Sequence, residues 1–206
     1  KLKAKWSSIE AVVGSKERLK KVAQDIVVHF EKKNAIIESK AMVVCMSRQI
    51  CVDLYNEIIA LKPHWHSDDD TKGSIKVIMT GSSADIKEFQ PHLRNKAQRK
   101  AIGERLKDEN NDLKIVMVRD MWLTGFDAPV LNTFYVDKPM QGANLMQAIA
   151  RVNRVASGKE YGYIIDYFGN LENLDSALNT YSGLNEFDQE ELVGTILNIN
   201  KEIEKL

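Results

Sequence analysis

Short apolar runs alternate with stretches of helical periodicity along most of this chain. Residues 41–46, 76–80, 114–118, 132–136 and 161–166 are compact and apolar, as strands buried on both faces are. Between most of them, at 48–61, 95–107 and 143–155, apolar residues recur every three or four positions and predict helices. An earlier stretch, 8–33, is rich in Lys and Glu and carries Val12, Leu19, Val22, Ile26 and Val27, which predicts one amphipathic helix. Strand-helix alternation of this kind predicts an α/β fold with a doubly wound, mostly parallel sheet and flanking helices. The third and fourth strands leave no room for a helix between them, only the loop 119–131. A long loop at the carboxyl end of a strand is where such sheets place their ligand sites. After Phe168 the pattern changes, and 170–206 read as an acidic, helical, detached extension. The expected organisation is a helical lead-in at 1–40, an α/β domain at 41–169 and a C-terminal helical extension at 170–206.

Composition narrows this only a little. The chain has 206 residues, 44% of them hydrophobic, which suits one α/β domain with extensions. Lys plus Arg and Asp plus Glu balance at 29 each, so net charge does not announce a nucleic-acid partner, although a local basic edge would suffice for one. Cys45 and Cys51 lie in or beside apolar runs, which fits reduced thiols in or near the core. No apolar stretch approaches the ~20 residues of a membrane span, and no signal peptide is visible. The chain starts at Lys1 rather than Met, as expected of a fragment of something longer.

The candidate chemistry is concentrated near the end of the α/β pattern. Gln147, Arg151 and Arg154 fall on one face of a helix, four and then three residues apart. An amide and two guanidiniums on one edge suit an anion, because the planar arginine fork donates in pairs and keeps its charge. The same residues also suit a solvated face with an incidental ion pair. In the loop after the third strand, Gly125 permits a tight turn and Pro129 sets the exit. Asp127, between them, could accept from a ribose hydroxyl, orient an arginine, or simply close an Asx turn. Ser47 and Arg48 open the helix after the first strand, and Thr80, Gly81 and Ser82 follow the second. Such positions hold phosphates or merely cap helices and loops. His64 and His66 with Asp68, Asp69 and Asp70 read as a polar surface loop rather than a metal site, Trp122 as core, and Asp166 as a cap or turn residue. No G-x-x-x-x-G-K-[ST] phosphate loop occurs. If the chain meets ATP, it supplies only part of the site.

Three of these segments carry a resemblance. The run TGFDAP at 124–129 resembles motif V of superfamily 2 helicases, QAIARVNR at 147–154 resembles motif VI, and AMVVCMSR at 41–48 resembles motif IV. In wording, order and spacing across 41–168 they are most similar to the motor (R) subunit of type I restriction enzymes. Ala150 departs from the usual motif VI glycine, a departure those motors resemble in tolerating. The resemblance implies the second RecA-like lobe of a double-stranded DNA translocase in a bacterial or archaeal cytoplasm. It further implies ATP with Mg²⁺ held mainly by a first RecA-like lobe, a nuclease domain in the same parent chain, and modification and specificity subunits as partners. By it, Arg154 matches the arginine finger, Arg151 its companion phosphate contact and Gln147 the glutamine at the domain cleft. Gly125 and Asp127 match the motif V residues near ribose and cleft, and Thr124 a residue between nucleotide and DNA. Ser47, Arg48, Thr80, Gly81 and Ser82 would face DNA. Two other classes stay open: another superfamily 2 DNA or RNA helicase, and a helicase-like module that docks DNA or protein without catalysis.

Overall fold

The structure, a computed structural model, describes residues 2–36, 38–140, 143–152 and 162–170. Five strands form one all-parallel sheet in the order β2-β3-β1-β4-β5: β1 (Lys40–Cys45), β2 (Ile75–Ile78), β3 (Ile115–Val118), β4 (Leu131–Asp137) and β5 (Tyr163–Asp166). β1 has a neighbour on each side and helices on both faces, which is why its sequence is apolar at successive positions. The pleat sends Ala41, Val43 and Cys45 to one core and Met42 and Val44 to the other. The first core is closed by α2 (Lys16–Asn34) and α3 (Arg48–Leu61), through Leu19, Ile26, Leu54 and Ile58. The second is closed by α4 (Lys96–Lys107) and α5 (Ala143–Val152), through Ile102, Leu106, Leu145 and Ile149. Helices on both faces of an all-parallel sheet are the doubly wound arrangement expected from the alternation, and they fit the RecA-like lobe that the resemblance implies.

The lead-in differs from expectation. Residues 8–33 are not one helix: α1 (Leu2–Val13) and α2 are separated at Gly14 and Ser15. A Cβ on Gly14 would lie 3.1 Å from the Glu10 carbonyl oxygen and 3.2 Å from Ile50, so the bare glycine lets the end of α1 close onto α3. Ser15 then turns extended (φ −63°, ψ 136°) and α2 starts afresh. The change of phase leaves Val12 67% exposed and buries Val13 instead. The strands begin or end within one or two residues of expectation. Residues 153–155, at the end of the expected third helix, and the extension beyond Asn170 lie outside the described residues.

Three polar groups inside this frame are held by partners. Lys40 is buried, and its ammonium donates to the carbonyl oxygens of Arg105 (3.3 Å), Asn111 (3.1 Å) and Leu113 (2.7 Å), while burial lowers its pKa to about 8. Arg18 of α2 forks onto the fully buried Asp137 at the end of β4, at 2.6 and 3.1 Å, and also donates to the Val13 and Tyr167 carbonyls. His92 is buried edge-on against Tyr55, with ring centroids 5.0 Å apart. Burial, reinforced by Arg94, pushes the His92 imidazole down to about 4. The folded pKa lies below the unfolded value of about 6.5, so on acidification the unfolded chain takes the proton first. Stability should therefore be lost as pH falls from about 6.5 towards 4. Urea unfolding at pH 7 and pH 4.5 should show His92→Gln losing less on acidification than wild type. Equal acid losses would show that His92 carries no part of the pH dependence.

Candidate active site at the loop after β3

The loop between β3 and β4 reaches the start of the site at Gly125. Its φ of +71° is the reason for glycine there, since the space around it is open. Phe126, Asp127 and Ala128 follow, and Ala128 is buried. α5 runs alongside with a clear division of faces. Leu145, Met146, Ala148, Ile149 and Val152 are buried, whereas Gln147 and Ala150 are exposed and Arg151 half-buried. Loop and helix together wall a cavity of about 380 Å³ lined by Gly125, Phe126, Asp127, Ala128, Leu131, Gln147, Ala150 and Arg151. Four expected site residues, Gly125, Asp127, Gln147 and Arg151, thus meet at one place. Ala150, which stands where motif VI has glycine, is part of the same wall. Arg154 lies outside the described residues.

The Arg151 guanidinium donates through Nη1 to the Phe126 carbonyl oxygen. It therefore ties α5 to the loop, and the acceptor is Phe126, which sequence reasoning passed over in favour of its neighbour Asp127. The ring of Phe126 stacks on Trp122, with centroids 4.3 Å apart and planes 11° from parallel, and Lys107 of α4 lies 5.3 Å from its centroid. Trp122 is half-buried against the core beneath the loop. An aromatic residue between Gly and Asp in a loop was the available signal that the loop is pinned.

The second expected group gathers elsewhere. Ser47 caps α3, its Oγ accepting from the Ile50 N–H at 3.2 Å. Arg48 forks onto Asp85 at 2.8 and 3.2 Å, donates to the Thr80 carbonyl at 3.0 Å, and lies 4.8 Å over the Phe89 ring. The Ser82 N–H donates to the same carboxylate at 2.8 Å. The guanidinium beside Asp85, and then the Ser82 amide, hold that carboxyl below its usual range. Gly81 has no room for a side chain, since a Cβ would fall 2.3 Å from Asp85 Oδ2. Arg48, Thr80 and Ser82 thus form a hydrogen-bonded corner joining the ends of β1 and β2, organised by Asp85, with Gly81 leaving room for that carboxylate and Ser47 beside it as the helix cap. None of the five lines the cavity. Thr124 is exposed, one residue before the cavity wall. Asp166 is a turn residue, accepting from the Phe168 N–H and the Asn170 side chain. His66 pairs with Tyr55 at 2.6 Å and with Asp68 at 3.4 Å.

Comparison with known proteins places this arrangement in a family. The model for type I restriction enzyme subunit R domain 3 matches residues 29–169. The type I restriction enzyme HindI endonuclease subunit of Haemophilus influenzae is 55% identical over 176 residues, covering 84% of this chain and 17% of that protein. The chain thus spans about a sixth of the length of that relative. Among solved structures, a fragment described as an HsdR subunit of a type I restriction enzyme from Vibrio vulnificus YJ016 shares the fold. Its TM-score is 0.59 at 16% identity, covering 86% of this chain and 32% of that one. T4 UvsW also shares it, with a TM-score of 0.51 at 15% identity over 86% of this chain and 34% of that one. The chain belongs to the type I restriction enzyme R-subunit family, its residues 29–169 corresponding to the domain that the family numbers third.

Proposed function

We propose that this domain is the second motor lobe of an ATP-dependent double-stranded DNA translocase within a type I restriction endonuclease. The observation that carries the reading is the cavity shared by the loop after β3 and the polar edge of α5, where a positive-φ glycine, a carboxylate, an amide and a guanidinium converge. Its volume of about 380 Å³ suits part of a nucleotide site. Gly125 and Asp127 would sit near the ribose. Gln147, Arg151 and Arg154 would approach the phosphates, with Arg154 as the finger. ATP, with Mg²⁺ held mainly by the first RecA-like lobe, would supply the γ-phosphate charge that these guanidiniums engage. The chain has no phosphate loop of its own, so the site is shared and lobe closure makes it complete. Arg48 would serve DNA indirectly, by holding the 80–82 loop through Asp85, while the exposed Thr80, Gly81, Ser82 and Thr124 and the half-buried Ser47 remain the candidates for phosphate contact. Modification and specificity subunits would complete the assembly and read the DNA sequence.

The bond from Arg151 to the Phe126 carbonyl also suits a second reading, a helicase-like module that docks DNA or protein without catalysis. The isolated chain and its parent separate the two. The isolated chain should not hydrolyse ATP, because it has nothing to cradle the β- and γ-phosphates. It should bind duplex DNA weakly, without sequence preference, and with affinity falling steeply as salt rises. Robust DNA-stimulated hydrolysis by residues 1–206 alone would overturn the shared-site reading. In the intact R subunit, unchanged ATPase after Arg151→Ala and Gln147→Ala would favour the docking module.

A further inference from the structure

The Phe126 joint has two sides. Its carbonyl holds Arg151 of α5. Its ring lies in a notch on α4 that exists because residue 103 is glycine: a Cβ there would come 3.1 Å from Phe126 Cε2 and 3.6 Å from Trp122 Cζ2. Glycine in the middle of a helix is unfavourable relative to alanine, so this position gives up helix propensity and gains close approach of two rings. Trp122 adds a second local cost. Its φ of +66° makes it the one non-glycine residue in the left-handed region among the described residues. In return its indole lies flat on Phe126, which in turn borders the cavity. Two unfavourable backbone choices on different elements thus converge on one contact, and that contact fixes a wall of the candidate site.

We propose that Trp122 and Gly103 are positioning residues for the site: the Trp122–Phe126 stack, seated in the Gly103 notch of α4, fixes the Phe126 carbonyl and through it the Arg151 guanidinium. This rests on the reading of the cavity as part of the nucleotide site. Neither residue lines the cavity or touches nucleotide itself. The effect is transmitted through one ring and one carbonyl, and it links α4 and α5, which cover the same face of the sheet.

The test uses the intact R subunit in its assembled enzyme, with DNA-dependent ATPase resolved into kcat and KM for ATP. Hydrogen exchange of the 119–131 and 143–152 segments and thermal melting are followed in parallel. Trp122→Ala should lower kcat by about 10- to 100-fold, as loss of alignment does, with KM changed much less and exchange raised in both segments. Trp122→Phe keeps a flat ring for stacking and should recover most of the rate. Gly103→Leu retains a good helix former but fills the notch, and should lower kcat in the same way without the 96–107 segment exchanging faster. The proposal is overturned by wild-type kcat in Trp122→Ala. It is also overturned by a loss of rate that tracks melting and is not rescued by Trp122→Phe. Arg151→Ala separates the two layers. If it lowers turnover and Trp122→Ala leaves kcat at the wild-type value, positioning is wrong and the cavity reading survives. If it leaves turnover intact, the cavity reading itself fails and this inference goes with it.

Discussion

Arg18→Ala is expected to destabilise the domain by about 3–5 kcal/mol, the usual cost of removing one partner from a buried ion pair. Asp137 is fully buried at the end of β4, and Arg18 faces both of its oxygens, at 2.6 and 3.1 Å. Truncating the arginine leaves a carboxylate in the core without its counter-charge. The opposite change, Asp137→Ala, should cost less. The Arg18 side chain is 25% exposed and still has the Val13 and Tyr167 carbonyls as acceptors, so its charge can reach water. Replacing both by apolar residues, Arg18→Met with Asp137→Leu, should recover much of the loss, because no buried charge then remains. For a domain of this size each kcal/mol moves the melting temperature by roughly 2–4 °C, so Arg18→Ala should melt at least about 6 °C lower. Equal costs for the two single variants would show that burial of the Asp137 charge is not what sets the energy. The same contact carries an architectural consequence. Arg18 belongs to α2, and it binds the end of α1, the end of β4 and the turn after β5 at once. The lead-in helix is thereby fastened to the carboxyl edge of the sheet, the edge that also bears the loop after β3.

The fold was legible because parallel strands covered on both faces leave little choice of residue. The runs now seen as β1 to β4 are mostly apolar and buried along their whole length, and α3 occupies the expected Arg48–Leu61. The break at Gly14 and Ser15 was not legible. A single glycine is tolerated within a helical pattern, and the turn is stabilised by contact with Ile50, 36 positions further on in sequence numbering. Buried cations were equally hidden. Residue 40 closes the expected lead-in and residue 76 opens the expected second strand, with nothing in the pattern to mark them as core, yet Lys40 and Lys76 are both 2% exposed with their ammonium groups on backbone carbonyls. At the site, Gln147 and Arg151 were recoverable from helical spacing, and Gly125 and Asp127 from turn chemistry and resemblance. Their meeting at one cavity follows from β4 and α5 packing together, which the order of elements implies. Asp85 and Gly103 were not recoverable, because each matters through a partner distant in sequence: Arg48 for the one, Phe126 and Trp122 for the other. Phe126 was visible as a motif residue but its carbonyl was not, since backbone acceptors leave no mark on composition.

Arg154→Ala in the intact R subunit should reduce DNA-dependent ATP turnover by about 10³–10⁵-fold, the range attributed to an arginine finger. That corresponds to roughly 4–7 kcal/mol of transition-state stabilisation. Arg154 itself lies outside the described residues, and its assignment rests on the motif and on its place three residues after Arg151. Arg151 already has a backbone acceptor in the Phe126 carbonyl, which suits it to holding the loop against α5. The two arginines should therefore fail differently. Arg154→Ala should lower kcat with little change in KM for ATP, because a finger acts on charge that develops in the transition state. Arg151→Ala should lower kcat and also loosen the 119–131 loop, raising its hydrogen exchange. Arg154→Lys should rescue poorly, since an ammonium point charge cannot reproduce the planar fork. Thermal melting measured beside the rates separates chemistry from unfolding. Near-normal turnover in Arg154→Ala would remove the finger assignment and leave Arg151 as the only guanidinium of the pair still in contention. Loss of turnover accompanied by a matching loss of melting temperature would instead make Arg154 a residue that holds the domain together.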